Sequence, residues 1–142
     1  MIGEIDIVAS RVLIPGRALY SLDMTDGEVR LAREFENPVQ QIVRMSSRRY
    51  ALNLSAPDAG RGRVALWNPM NDRVKYFDLP NPVFRLTSAQ GWNVALVSEG
   101  DACVISELKV EESARGPQLN LKKIVSFLPI SRKGCRDYRL AL

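Results

Sequence analysis

The chain has 142 residues, 46% apolar and 25% charged, with a net charge of +4 and no histidine. That is the composition of one ordinary folded domain, and it excludes a disordered or collagen-like chain. Without histidine the commonest general base and metal ligand are gone, and with them any Ser-His or Cys-His nucleophile pair.

The apolar runs are short, β-branched or aromatic, and bounded by Gly, Pro, Asn and Asp, so the chain reads as strands. The first are expected at Ile5–Val8, Arg11–Ile14 and Ala18–Leu22. Asp26-Gly27 is a turn signal, because glycine tolerates a positive φ. A strand over Val29–Phe35 should follow. Thr25 and Glu28 also make a capping box, with Leu31, Ala32 and Phe35 at helical spacing, so a helix over Gly27–Glu36 competes with that strand. Next come Val39–Met45, Tyr50–Leu54, Val64–Trp67 and Val74–Leu79, then Val83–Thr87, Asn93–Val97, Ala102–Leu108 and Leu121–Phe127. Ser55–Gly62 and Val110–Gln118 are Gly/Pro-punctuated and read as surface loops. The tail Tyr138–Leu142 is patterned like the Tyr50–Leu54 strand.

These strands repeat. Asn37-Pro38-Val39 recurs 44 residues later as Asn81-Pro82-Val83. Read without a gap, the match pairs Ile42 with Leu86, Ala51 with Ala95 and Leu52 with Leu96. A period of about 40–50 residues with four strands is that of a β-propeller blade. The expected units are 37–80 and 81–129, with partial units at 1–36 and 130–142. About three blades fall short of the roughly four to eight that close a propeller. The sequence therefore predicts self-association or a protein partner that completes the ring. A closed β-barrel or sandwich is the alternative all-β form.

Gly62-Arg63-Val64-Ala65-Leu66-Trp67-Asn68-Pro69, followed by Asp78-Leu79-Pro80, resembles the strand-turn-strand signature of F-box-associated, kelch-like propeller repeats. The resemblance spans about one unit. It implies that Trp67 packs between blades, that Asn68-Pro69 starts a turn, and that the protein has a binding role. The Gly-His and Trp-Asp pairs of WD40 repeats are missing.

Candidate functional residues are few. Trp67 sits inside an apolar run and is expected in the core, whereas Trp92 follows Gln90-Gly91 at a turn and is the better exposed anchor. Arg48, Arg49, Arg61 and Arg63 flank one predicted strand and its loop, and the sequence places them on one rim. Arg48, Arg49, Arg61, Arg63 and Trp92 are therefore the expected contact residues. Asp23, Asp26 and Glu28 around Gly27 have incomplete calcium-loop spacing and are explained by a tight turn. No nucleophile, base and oxyanion set can be assembled, so no enzyme activity, cofactor or metal is expected. Cys103 and Cys135 form no CxxC pair; the favoured reading is a buried Cys103 and an incidental Cys135 in a reducing compartment, and a single disulfide between them is the alternative.

No apolar run approaches the roughly 20 residues of a membrane helix, and no secretory signal opens the chain. A cytoplasmic location and no membrane partner are expected. The function that follows is a non-catalytic, propeller-type interaction scaffold or subunit of a larger assembly. A basic subunit of a nucleic-acid-bearing particle is the alternative.

Overall fold

The computed structural model describes residues 5–6, 11–46, 48–56, 60–130 and 134–140. Its strands form three four-stranded antiparallel sheets, each a meander in chain order. Sheet 1 comprises β1 (Ile5–Asp6), β2 (Arg11–Pro15), β3 (Leu19–Asp23) and β4 (Val29–Arg33). Sheet 2 comprises β5 (Gln41–Ser46), β6 (Arg49–Asn53), β7 (Gly62–Asn68) and β8 (Arg73–Leu79). Sheet 3 comprises β9 (Val83–Ala89), β10 (Trp92–Glu99), β11 (Ala102–Ser113) and β12 (Gly116–Phe127). None of the three closes into a barrel, which corrects that alternative. The expected Ile7 and Val8 positions lie outside the described residues, as do parts of the Ser55–Gly62 loop and the last two residues of the tail.

Local chemistry explains the turns. The strand reading prevails over the helix at 27–36: Asp23 N donates to Glu28 O at 3.0 Å, Gly27 N donates to Asp23 O at 2.9 Å, and Gly27 has φ 72°. The turn delivers Val29 and Leu31 to partners on β3, and cross-strand pairing decides the ambiguity that the capping box created. Gln90 and Gly91 both have positive φ, 53° and 82°, and join β9 to β10 through a tight two-residue turn.

The sheets stack face to face. One core cluster joins Leu13 and Leu19 of sheet 1 to Ile42, Tyr50, Leu52, Ala65 and Trp67 of sheet 2. A second joins Val43, Ala51, Val64 and Leu66 of sheet 2 to Val83, Leu86, Ala95, Val97 and Leu108 of sheet 3. Sheet 2 is thus buried on both faces, which is why Tyr50-Ala51-Leu52 and Val64-Ala65-Leu66-Trp67 are uninterrupted apolar runs rather than alternations. Trp67 is core, as expected, with Phe35 edge-on at 6.1 Å and Tyr50 at 5.7 Å.

The ungapped match between the two Asn-Pro-Val segments does not carry through to the strand registers. Ile42 pairs with Leu52 across β5–β6, and Leu86 pairs with Ala95 across β9–β10. Leu52 is therefore the counterpart of Ala95, and Ala51 of Val94. The cause is a bulge between Arg44 and Ser46, which gives the first hairpin one residue more than the second. The ungapped match would have placed Leu52 and Leu96 alike, yet they face opposite sides of their sheets, since a one-residue shift exchanges faces.

Three further expectations change. Val110–Gln118 is not a loop: β11 and β12 stay paired out to Ser113 and Gly116. Val110, Leu119 and Leu121 of this arm pack against the same core cluster as Met45, Phe77 and Leu79 of sheet 2. The tail is not a strand of a further unit. Gly134–Asp137 is a 3-10 turn, and Cys135, Tyr138 and Leu140 pack on Leu96, Cys103, Phe84, Ile105 and Phe127. The cysteines are not free thiols either. Cys103 and Cys135 are joined by a disulfide that ties the tail to the outer face of sheet 3.

Candidate functional site

In a meander, alternate turns fall at opposite ends of the sheet. The β5–β6 hairpin places Arg48 and Arg49 at one end of sheet 2, where Tyr50 pairs with Trp67. Arg61 and Arg63 lie at the other end, where Asn53 pairs with Val64. The five residues of β6 separate the two pairs by about 15 Å at ~3.3 Å per residue. The four arginines therefore do not share a rim, which corrects the sequence reading. Sequence proximity misled because Arg49 and Arg63 begin adjacent antiparallel strands.

Trp92 does share an end with Arg48 and Arg49. It occupies in sheet 3 the position that Arg49 holds in sheet 2, each being the first residue of its sheet's second strand. The two hairpins are neighbours: β5 lies against β9, and Ser88 Oγ donates to Arg44 O at 3.3 Å. Trp92 is 52% exposed and Arg48 is exposed. Arg49 is half-buried and pairs at 2.5 Å with Glu112 of the β11–β12 arm. Arg48, Arg49 and Trp92 thus form a small basic-aromatic rim.

Arg63 is a structural clamp. Its Nη1 donates to Asn37 Oδ1 at 2.9 Å, its Nη2 pairs with Glu36 at 2.8 Å, and its guanidinium lies 4.5 Å from the Tyr76 ring centre. Nε sits 3.4 Å from Asp78 Oδ1 without hydrogen-bond alignment, so that pull is electrostatic alone. Arg61 is exposed and its backbone forms a bridge with Ala56.

The polar residues with the most demanding geometry were not singled out by sequence. They make the joints between sheets. Val39 N, entering sheet 2, donates to Gly16 O at 2.7 Å. Val83 N, entering sheet 3, donates to Ser55 Oγ at 3.1 Å. Gly16 and Ser55 both belong to the loop between the second and third strands of the preceding sheet, so one joint is used twice. Asn53, 1% exposed, adds a bond from Nδ2 to Val83 O at 2.8 Å, and Gln41 Oε1 accepts from Leu86 N at 2.6 Å. The available signal was a polar Asn53 and Ser55 on either side of buried Leu54.

Asp72 does similar work at the joint of sheets 1 and 2. It accepts from the Trp67 indole at 3.0 Å and pairs with Arg33 of sheet 1. These two donors, Trp67 foremost, hold its carboxyl below the usual aspartate value. Its φ of 58° is uncommon for a residue with a side chain, though tolerated by aspartate.

Nothing among the described residues gathers into a reaction centre. Asp23 and Asp26 at the β3–β4 turn are held ionised by local donors, Thr25 foremost for Asp23 and Arg30 for Asp26. Among the described residues no cluster of acidic or sulfur ligands could hold a metal ion. A cleft of about 140 Å³ lies between Leu79, Pro80 and Asn81 of sheet 2 and Val97, Glu99, Ser106 and Lys123 of sheet 3. That is well below the ~300 Å³ from which ligand sites usually start, and Glu99 and Lys123 are paired with each other across it at 3.4 Å. Among the described residues no helix is long and apolar enough to cross a membrane. Comparisons with protein-family models, with curated proteins and with solved structures give no match.

Proposed function

We infer that the chain is a non-catalytic interaction scaffold built of propeller-type blades, acting as a subunit of a larger assembly. The observation that carries this reading is the repeated joint. The same loop of one sheet receives the first strand of the next, at Gly16–Val39 and again at Ser55–Val83. A joint used twice is the mark of units added in series, each depending on its neighbour to cover a face. The first strands β5 and β9 lie together, as inner strands of adjacent blades do. The arm, the clamp and the buried Asn53 joint all serve that stacking, and no group is left converging on a reacting atom.

The rim of Arg48, Arg49 and Trp92 is the contact surface that this reading favours, because aromatic and arginine side chains dominate partner contacts. The nucleic-acid alternative loses its main support, since the arginines occupy opposite ends of sheet 2. The disulfide argues for an oxidising compartment rather than the cytoplasm.

The test is the native size of the tagged chain in extract. We expect elution well above its 15.9 kDa, with Trp92→Ala and Arg48→Ala lowering recovery of the assembly. Elution as a lone monomer would overturn the scaffold reading. A heavy form that disappears on nuclease treatment, or weakens steeply with salt, would replace it with the nucleic-acid one.

A further inference from the structure

Sheet 1 turns one face to sheet 2, and among the described residues its other face joins no core cluster. Residues paired across antiparallel strands share a face. Val12, Leu22 and Val29 make one such row, and Ile14, Tyr20 and Leu31 the next. All six are apolar in whole or in large part. None belongs to any core cluster of the described residues; Val12, Ile14, Tyr20 and Leu22 are half-buried, and Val29 and Leu31 are 59% and 55% exposed.

Sheet 2 shows what such a face is for. Its corresponding rows are Tyr50, Trp67, Val74 and Leu52, Ala65, Tyr76. There the same positions are buried or half-buried against sheet 1, with Trp67 5% and Ala65 0% exposed. The outer face of sheet 1 is therefore built like the face that sheet 2 packs against its neighbour. Beside it lies an acidic turn: Asp23, Asp26 and Glu28, with Arg30 among them. The equivalent turn of sheet 2 holds Asp72, which is gripped by Arg33 of the preceding sheet. A partner for the open face should bring apolar surface and cations.

The opposite end of the stack has both. Over sheet 3 the disulfide-tied tail covers only part of the outer face, leaving Val125 48% exposed. Lys122, Arg136 and Arg139 are exposed at that end, and Arg85 is half-buried there with Nη2 on Arg136 O at 3.1 Å. Resting on the stacked-blade reading above, we propose that the open face of sheet 1 docks the sheet 3 end of a second copy of this chain. The contact is heterologous, head to tail. Two copies making it reciprocally close a ring of six sheets, within the roughly four to eight blades that close a propeller.

The experiment is sedimentation equilibrium of the purified chain over a wide concentration range, with Leu31→Glu and Val125→Glu. Both side chains are exposed on one copy, so each variant keeps its strand signal in circular dichroism. The wild type should reach twice its monomer mass, and each variant should weaken dimerisation roughly 30-fold or more, the scale of a dominant contact. An equimolar mixture of the two variants should recover association, because it restores one intact head facing one intact tail. Dimerisation that survives Val125→Glu but not Leu31→Glu would overturn the head-to-tail contact in favour of two heads meeting. A wild type that stays monomeric at every concentration would overturn the second copy as occupant. If that monomer still elutes in a heavy assembly from extract, the scaffold reading stands without it; if it elutes alone there too, both fall.

Discussion

Gly62 is the residue with the least freedom. A Cβ on it would lie 2.0 Å from Asn81 O, a backbone atom that cannot swing aside. We expect Gly62→Ala to cost about 1–3 kcal/mol, the usual scale of overpacking, read as a lower urea midpoint. Gly16→Ala is the control, since its nearest neighbours would be 3.7 Å away. Asn53 carries a different demand. Replacing it by Leu removes the donor to Val83 O and buries that carbonyl without its partner. The expected loss is about 1–3 kcal/mol, whereas an unchanged midpoint would show that water takes the place of the amide. Asp72 adds a pH dependence. Its carboxyl is depressed below 3.8 in the folded state, Trp67 being the larger cause and Arg33 the smaller. A depressed carboxylate stabilises the fold above its unfolded pKa and loses that contribution as pH falls through the folded value. Asp72→Asn keeps a side chain tolerant of the left-handed φ. Its stability deficit at about pH 7 should therefore shrink as pH drops below about 4; a deficit independent of pH would place the cost in geometry rather than charge.

Among the elements, the strands were legible and their lengths were not. Alternation and turn residues located all twelve described strands, because Gly27, Gly91 and Gly100 sit where the backbone needs positive φ. The β11–β12 arm was missed because Glu111, Glu112, Arg115 and Pro117 look like loop residues, yet only one face of the arm touches sheet 2. Glu112, though exposed, and Pro117 O serve as partners for Arg49 and Lys75. The bulge after Arg44 was invisible for another reason: one added residue leaves composition intact and changes only which face each later side chain takes. The tail was misread because Tyr138 and Leu140 alternate like a strand, while the disulfide and the apolar face of sheet 3 hold them without a ladder. Cys103→Ser with Cys135→Ser should therefore cost about 2–4 kcal/mol. Hydrogen exchange should rise first over residues 134–140, and uniform loss of protection would show instead that the tail is integral to sheet 3.

At the scale of the whole molecule, short strands and turn residues were enough to anticipate an all-β fold. The proposed contact surface was less legible. Arg48, Arg49 and Trp92 come together at one end, while Arg61 and Arg63 are carried to the other by the reversal of the chain at β6. Antiparallel geometry, not sequence distance, sorts side chains to the ends of a sheet. The face proposed for docking was hidden for the same reason. Val12, Ile14 and Leu31 look like ordinary core residues until their strand partners place them on the face of sheet 1 opposite Leu13 and Leu19.

The reach of the β11–β12 arm has a consequence in time. Met45 and Phe77 belong to a sheet complete at Leu79, but the cluster they pack against is completed by Leu108, with Val110, Leu119 and Leu121 packed on it, all from sheet 3. A ribosome adding about 5–20 residues per second leaves that surface bare for seconds after sheet 2 has emerged. The middle sheet is therefore exposed as a nascent intermediate, with hydrophobic side chains and an unfilled joint at Ser55. Chaperone capture should be densest while the emerged part of the nascent chain ends between residues 80 and 119, and should fall away once Leu121 has left the exit tunnel.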